Sequence, residues 1–246
     1  YTVGVVGSTM KNEFVNFSNS EYVGQDYYDV CSTGSPYPNY TLQRIEKGRS
    51  VGSFFMYRYA GVDADGNWVV YNRDGDMILA STATVDDKQY VGNGLPKFTG
   101  SMTHSFRYKW FDLNIYLRTA LGYNIFNIHE YMYGTRNFRG NVLKIAYGQN
   151  AAINKDANPV VCDYFLERGD YLKIDMVNLG FTLDTDWKYL SRIRLYVTGK
   201  NLCTFTKFTG IDPSAYNVNG LTPGAKGSGQ YYPSSRQFIL GVQLGF

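Results

Sequence analysis

The feature that most limits what this chain can become is a strict two-residue repeat. Along residues 98–110, Phe98, Gly100, Met102, His104, Phe106, Tyr108 and Trp110 share one parity, and Thr99, Ser101, Thr103, Ser105, Arg107 and Lys109 share the other. Side chains of a β-strand point alternately to opposite faces, so the segment reads as a strand with one mostly apolar face and one wholly polar face. The repeat resumes at once, with Phe111, Leu113, Ile115 and Leu117 alternating with Asp112, Asn114, Tyr116 and Arg118. Almost nothing is left for a loop, which predicts a long hairpin with a tight turn.

The same alternation returns at Ile193, Leu195 and Val197, and again at Phe238, Leu240, Val242, Leu244 and Phe246. Between residues 171 and 183 the apolar set is Leu172, Ile174 and Met176, then Val177, Leu179, Phe181 and Leu183. The parity slips by one at Met176-Val177, and a β-bulge would absorb the slip. Weaker strands at residues 1–10 and 51–60 bring the expected number to seven. Short turns fall near Trp110 and at residues 184–191, and long polar segments at 61–96, 122–170 and 204–236. Short turns on one side of a sheet and long loops on the other is the layout of outer-membrane barrels. This scheme places residues 11–50 on the short-turn side, where they fit badly.

Strands of 10 to 13 residues are long for a soluble sandwich, whose outer face is usually more charged than this Thr/Ser/Gln set, but alternation alone leaves both architectures open. A membrane helix is excluded, since no uninterrupted apolar run exceeds four residues. The slightly negative mean hydropathy is uninformative, because a barrel strand shows lipid only every second side chain. The 24 basic and 21 acidic residues are scattered singly, leaving no footprint for nucleic acid. Cys31, Cys162 and Cys203 are too far apart for a thiol redox pair and too few for a disulfide scaffold. Residues 238–246, ending in Phe246, look like the closing strand of bacterial outer-membrane proteins.

The sequence also resembles the SusC/RagA group of TonB-dependent transporters. The matching stretches are Val91-Gly92-Asn93-Gly94-Leu95-Pro96-Lys97-Phe98, Tyr171-Leu172-Lys173-Ile174, Leu179-Gly180-Phe181-Thr182-Leu183, the run from Val197-Thr198-Gly199-Lys200-Asn201 through Cys203 to Phe208, Gly210-Ile211-Asp212-Pro213, and the final strand. Each is weak alone, and their shared order and spacing are specific. Cys203 departs from the aromatic or aliphatic residue more usual there. The resemblance implies an all-β fold, the C-terminal segment of a 22-stranded antiparallel transmembrane barrel, with residues 1–246 as wall and loops. It implies a plug domain and earlier strands outside this sequence, TonB acting through that plug, a SusD-like surface lipoprotein as lid, a bacterial outer-membrane location, and oligosaccharide or peptide cargo. An open sheet edge cannot face lipid unpaired, so the strands near Tyr1 and Phe246 are both expected to pair with strands absent from this chain.

Catalytic constellations are weak. His129-Glu130-Tyr131-Met132-Tyr133 begins like a zinc-protease helix but has Tyr where the second ligand belongs, and Ser228 lacks the outer glycines of a nucleophile elbow. Asp63-Ala64-Asp65-Gly66-Asn67 gathers oxygen ligands, yet its spacing fits a turn better than a calcium loop. No enzyme activity, metal or cofactor is expected. The long loops are rich in amphipathic rings, which can stack on sugars or grip peptide backbones. Trp68, Tyr71, Tyr131, Tyr133, Tyr216 and Tyr231 are the expected ligand contacts, against the plainer reading of loop packing and interface girdle. The reading is an energised importer of oligosaccharides or peptides. The rivals are a passive porin or adhesin on the same barrel, and a soluble carbohydrate-binding sandwich.

Overall fold

The computed structural model describes residues 1–17, 21, 24–216, 220–226 and 232–246. Its strands in chain order are β1 (Thr2–Thr9), β2 (Tyr27–Ser32), β3 (Thr41–Glu46), β4 (Ser53–Met56), β5 (Arg58–Val62), β6 (Trp68–Tyr71), β7 (Met77–Leu79) and β8 (Gln89–Asn93). They continue with β9 (Phe98–Tyr108), β10 (Phe111–Leu121), β11 (Asn124–Phe126), β12 (Leu166–Arg168), β13 (Tyr171–Trp187), β14 (Leu190–Thr206) and β15 (Gln237–Gly245). A short helix, α1 (Ile128–Tyr133), follows β11.

Six of these strands form one antiparallel sheet in the order β1-β9-β10-β13-β14-β15, here called the wall. Its two tight turns lie at Lys109-Trp110 and Lys188-Tyr189, on the same end. At the other end emerge residues 10–97, 122–170 and 207–236, whose described parts fold together into a crown of smaller sheets. The alternation at residues 98–118 is a hairpin as the repeat requires, with Phe111 opposite Tyr108. The bulge is present and sits at Asp175, where the register shifts between Ile174 and Met176. That shift returns Leu172 and Ile174 to the face of Val177 and Leu179 and puts Met176 opposite Tyr116 on the polar face.

One expectation is corrected. Residues 51–60 do not make a wall strand; they divide into β4 and β5, in two sheets of the crown. Phe54 and Met56 are fully buried there. With that strand removed, residues 10–97 become one excursion between β1 and β9, and the misplaced residues 11–50 move to the long-loop side. The apolar run Phe54-Phe55-Met56-Tyr57 imitates a wall strand because short buried strands and long half-exposed ones share β-branched and aromatic residues.

The hydrophobic core lies in the crown. Leu42, Phe54, Met56, Trp68, Phe126, Ile128, Tyr131 and Phe165 form its centre, with a second cluster of Ala120, Tyr123, Ile125, Tyr171, Phe208 and Tyr216 where crown meets wall. The wall's apolar face is bare. Phe106 is 42% exposed, Leu244 48% and Leu240 81%. Among the described residues no second sheet covers it, which speaks against the sandwich alternative.

Candidate functional site

The wall has two chemically different faces fixed by its register. One carries Phe106, Leu113, Leu179, Val197 and Leu240 as laterally paired neighbours. His104 belongs to this face, opposite Ile115, with its Nδ1 2.6 Å from Tyr1 Oη. An 11-residue strand such as β9 runs about 36 Å, or roughly 25 Å of height at a tilt near 45°, the height of a barrel's apolar band. Tyr108, Trp110, Phe111, Trp187, Tyr189 and Phe246 crowd its short-turn end, all exposed, as an interfacial girdle requires.

The opposite face is a polar network. Arg194 forks onto Asp112, with Nη2–Oδ2 at 2.6 Å and Nε–Oδ1 at 3.1 Å, and its Nη2 also donates to Asn178 Oδ1. Asn178 in turn donates to Thr198 Oγ1 at 2.6 Å. A Cβ at position 180 would collide with the Asp112 and Arg194 side chains, so the glycine of the Leu179-Gly180-Phe181 stretch makes room for this pair. A hollow of about 540 Å³ opens here, lined by Ser105, Arg107, Asp112, Asn114, Arg192 and Arg194.

Higher on the same face the crown is bolted to the wall. The Lys173 side chain is 2% exposed, and its Nζ donates to Ser214 Oγ at 2.8 Å. The same ammonium lies 3.7 Å from Asp212 and 3.9 Å from Asp175, and Arg118 holds Asp175 at 2.8 Å. Burial pushes the Asp212 carboxyl up, but hydrogen bonds from Ser214, the Lys173 charge and the Ser234 amide outweigh it and leave it below its ordinary range. Within the crown, Asn127 ties two segments together: it caps α1 by accepting from the Glu130 amide and donates to Glu167 Oε1 at 2.7 Å and to Thr209 Oγ1 at 3.2 Å. Gly94 marks a further contact inside the crown, where a Cβ would strike the Pro223 carbonyl, while Gln43 Nε2 donates to that carbonyl at 2.7 Å. Sequence reasoning missed Lys173 and Asp212 as a pair. The signal was available, since Lys173 sits on the polar parity and Asp212-Pro213 lies in a family-like stretch.

The expected ligand contacts scatter. Trp68, Tyr131 and Tyr216 are core residues, at most 3% exposed, with their rings packed against protein. Trp68 packs edge-on to Tyr59 and Tyr164, Tyr131 to Phe165 and Tyr37, and Tyr216 to Phe208. Tyr71 and Tyr133 are half-buried, and Tyr133 leans on Phe138. Tyr231 and Ser228 lie outside the described residues. Asp63 is a turn residue whose oxygens accept from the Asp65 and Asn67 amides and from Asn67 Nδ2. The three cysteines are free thiols, and burial pushes Cys162 well up and Cys31 to about 11, so both stay protonated at neutral pH. Cys203 lies opposite Ile174 on the wall's apolar face.

Within the crown a cavity of about 580 Å³ is lined by Tyr57, Trp68, Leu79, Ala83, Lys88, Asn158 and Val160, among others. One edge of Trp68 therefore does face a space large enough for a small molecule, although its ring is packed.

This architecture is a segment of a large transmembrane β-barrel, with its long loops folded into a compact outer crown. No family model matches the sequence. It is 28% identical over 244 residues to TonB-dependent receptor P3 of Formosa agariphila, covering 85% of this chain and 24% of that protein. It is 26% identical over 242 residues to TonB-dependent receptor SusC of Bacteroides thetaiotaomicron, covering 90% of this chain and 22% of that one. In structure it resembles the RagAB peptide transporter, with a TM-score of 0.74 at 19% identity over 99% of this chain and 27% of the other. The chain thus spans about a quarter of the length of the proteins it matches. Its sequence is similar to TonB-dependent receptors, SusC among them, and its fold to that of the RagAB peptide transporter.

Proposed function

We propose that this chain is part of the barrel wall and outer loops of a TonB-dependent importer in the bacterial outer membrane. The observation that carries the reading is the two-faced wall under a folded crown: lipid meets Phe106, Leu179 and Leu240, while the Asp112–Arg194 network borders the interior. The edges β1 and β15 pair with further strands of a longer polypeptide, because unpaired backbone cannot face hydrocarbon. A plug elsewhere in that polypeptide presents its polar surface to this interior face and is pulled by TonB. A SusD-like lipoprotein closes over the crown, and the cargo is an oligosaccharide or a peptide. Relatives named as TonB-dependent receptors support import over a passive porin or adhesin. Of the expected contacts, Tyr71 and Tyr133 remain proposed ligand neighbours.

The test is accumulation of labelled oligosaccharides and peptides by cells carrying the full-length receptor, with and without TonB. Uptake that collapses when TonB is removed supports the reading. Uptake equal in both strains makes the protein a passive pore.

A further inference from the structure

The crown cavity has an unusual mix of walls. Tyr57, Leu79, Ala83 and Val160 give it an apolar lining, and one cation, Lys88, stands out against it. Lys88 is half-buried, with its ammonium 5.5 Å from the centre of the Tyr57 ring. Among the described residues no carboxylate comes within ion-pair distance of it: Asp29, whose charge reaches it, is bound to Arg44 at 2.7 Å. Burial and the Arg44 charge outweigh the pull of Asp29 and hold the Lys88 pKa below the ordinary lysine value. Lys88 is therefore the one charged residue on the cavity's lining, and among the described residues no counter-charge is bound to it.

We propose that this cavity is a binding pocket for a carboxylate carried on a ring or a short apolar chain, with Lys88 taking the charge. A single cation matches a monoanion, whereas a phosphate would call for an arginine fork or several converging donors. The volume lies within the range of small-ligand pockets and fits a body of dipeptide or disaccharide size. Asn158 and Ser81, exposed on the cavity's lining, offer polar contacts to the part of the ligand that remains in water. Two sources share this chemistry, the C-terminus of a peptide and the acid group of a uronic sugar. The proposal deepens the import reading by naming what the crown grips.

The experiment is binding to the purified full-length receptor in detergent, without TonB, so its outcome is independent of the uptake test. The probes are N-acetyl-alanyl-phenylalanine as acid and as amide, and a galacturonic acid disaccharide beside its neutral galactose counterpart. At least one acid should bind about tenfold or more tighter than its neutral partner, the size of one hydrogen bond to a charged group. Preference for the peptide acid or for the uronide identifies the source. Lys88→Met should bring acid binding down to the level of the neutral analogue while the neutral analogue is unchanged, a pattern unfolding cannot produce. Lys88→Arg should retain most of the preference, and Ala83→Leu, which fills the cavity, should abolish binding of both. Equal affinity for acid and neutral probes, no binding of any carboxylate, or an undiminished acid preference in Lys88→Met would overturn the assignment.

Discussion

Replacing Lys173 by Met removes the charge that joins crown to wall while keeping most of the side-chain volume. Unit charges about 4 Å apart interact by about 4 kcal/mol at an effective dielectric near 20. Lys173 makes two such contacts, at 3.7 Å to Asp212 and 3.9 Å to Asp175. Desolvation of the three groups offsets much of this, and breaking one side of a buried pair costs about 3–5 kcal/mol overall. Asp175 keeps Arg118 at 2.8 Å, so the loss falls on Asp212, left buried with hydrogen bonds from Ser214 and Ser234. The segment around residues 207–216 should therefore open far more often. Hydrogen exchange of the full-length receptor in detergent reads this directly, and the Ser214 amide should exchange about 10²–10³-fold faster. Asp212→Asn on the Lys173→Met background should recover most of the loss, because a buried neutral pair has no stranded charge, giving a coupling of about 2 kcal/mol. If the two single changes add within about 0.5 kcal/mol, the ion pair does not hold the crown down and the reasoning fails.

Leu240→Arg places a charge on the face assigned to lipid, at a cost of about 2–4 kcal/mol near the bilayer centre, and should reduce the receptor recovered in outer membranes; Gln243→Arg, on the interior face, should not. Phe54→Ala hollows the crown core and should cost about 3–5 kcal/mol, seen as early protease cutting within residues 10–97 while the wall stays intact. Gly94→Ala drives a methyl into the Pro223 carbonyl and should destabilise the crown by about 1–3 kcal/mol in the same assay. Glu130 has its pKa raised, by burial first and by Glu167, with the Asn150 hydrogen bond opposing. The folded crown therefore holds the proton more tightly than the unfolded chain, and stability falls as pH rises from the unfolded value through the folded one. Glu130→Gln should flatten that decline and stabilise the crown at neutral pH, and an unchanged pH profile would contradict it.

The wall was legible because each of its strands is long and differently solvated on its two faces, so the period of two is written in residue type. Even the slip near Met176 pointed to a bulge found one residue away, at Asp175. The crown was not legible, since its strands are three to six residues long, too short for a period of two to stand out. Position 54 shows the difficulty, because an apolar run is equally at home in a buried short strand and in a barrel wall. The aromatic loop residues failed for a related reason. A Tyr or Trp ring serves a core as well as a binding surface, and composition does not say which. The pattern Trp68-Val69-Val70-Tyr71 did contain a hint, because Trp68 and Val70 share a parity and both turn inward.

The seam between β1 and β9 has a consequence for assembly. β9 meets β10 across two residues, but β1 meets β9 only after residues 10–97 have been looped out. Closing the longer loop costs about 3 kcal/mol more in chain entropy than closing the hairpin. The Gly94 amide donating to the Gly52 carbonyl at 2.9 Å shortens that loop from within, and the Met10 amide donating to the Lys97 carbonyl at 3.2 Å closes its base. The crown is therefore a clasp on the seam as well as a cap. A lesion at Gly94 or Phe54, far from any lipid, would slow the zipping of two strands that it never touches.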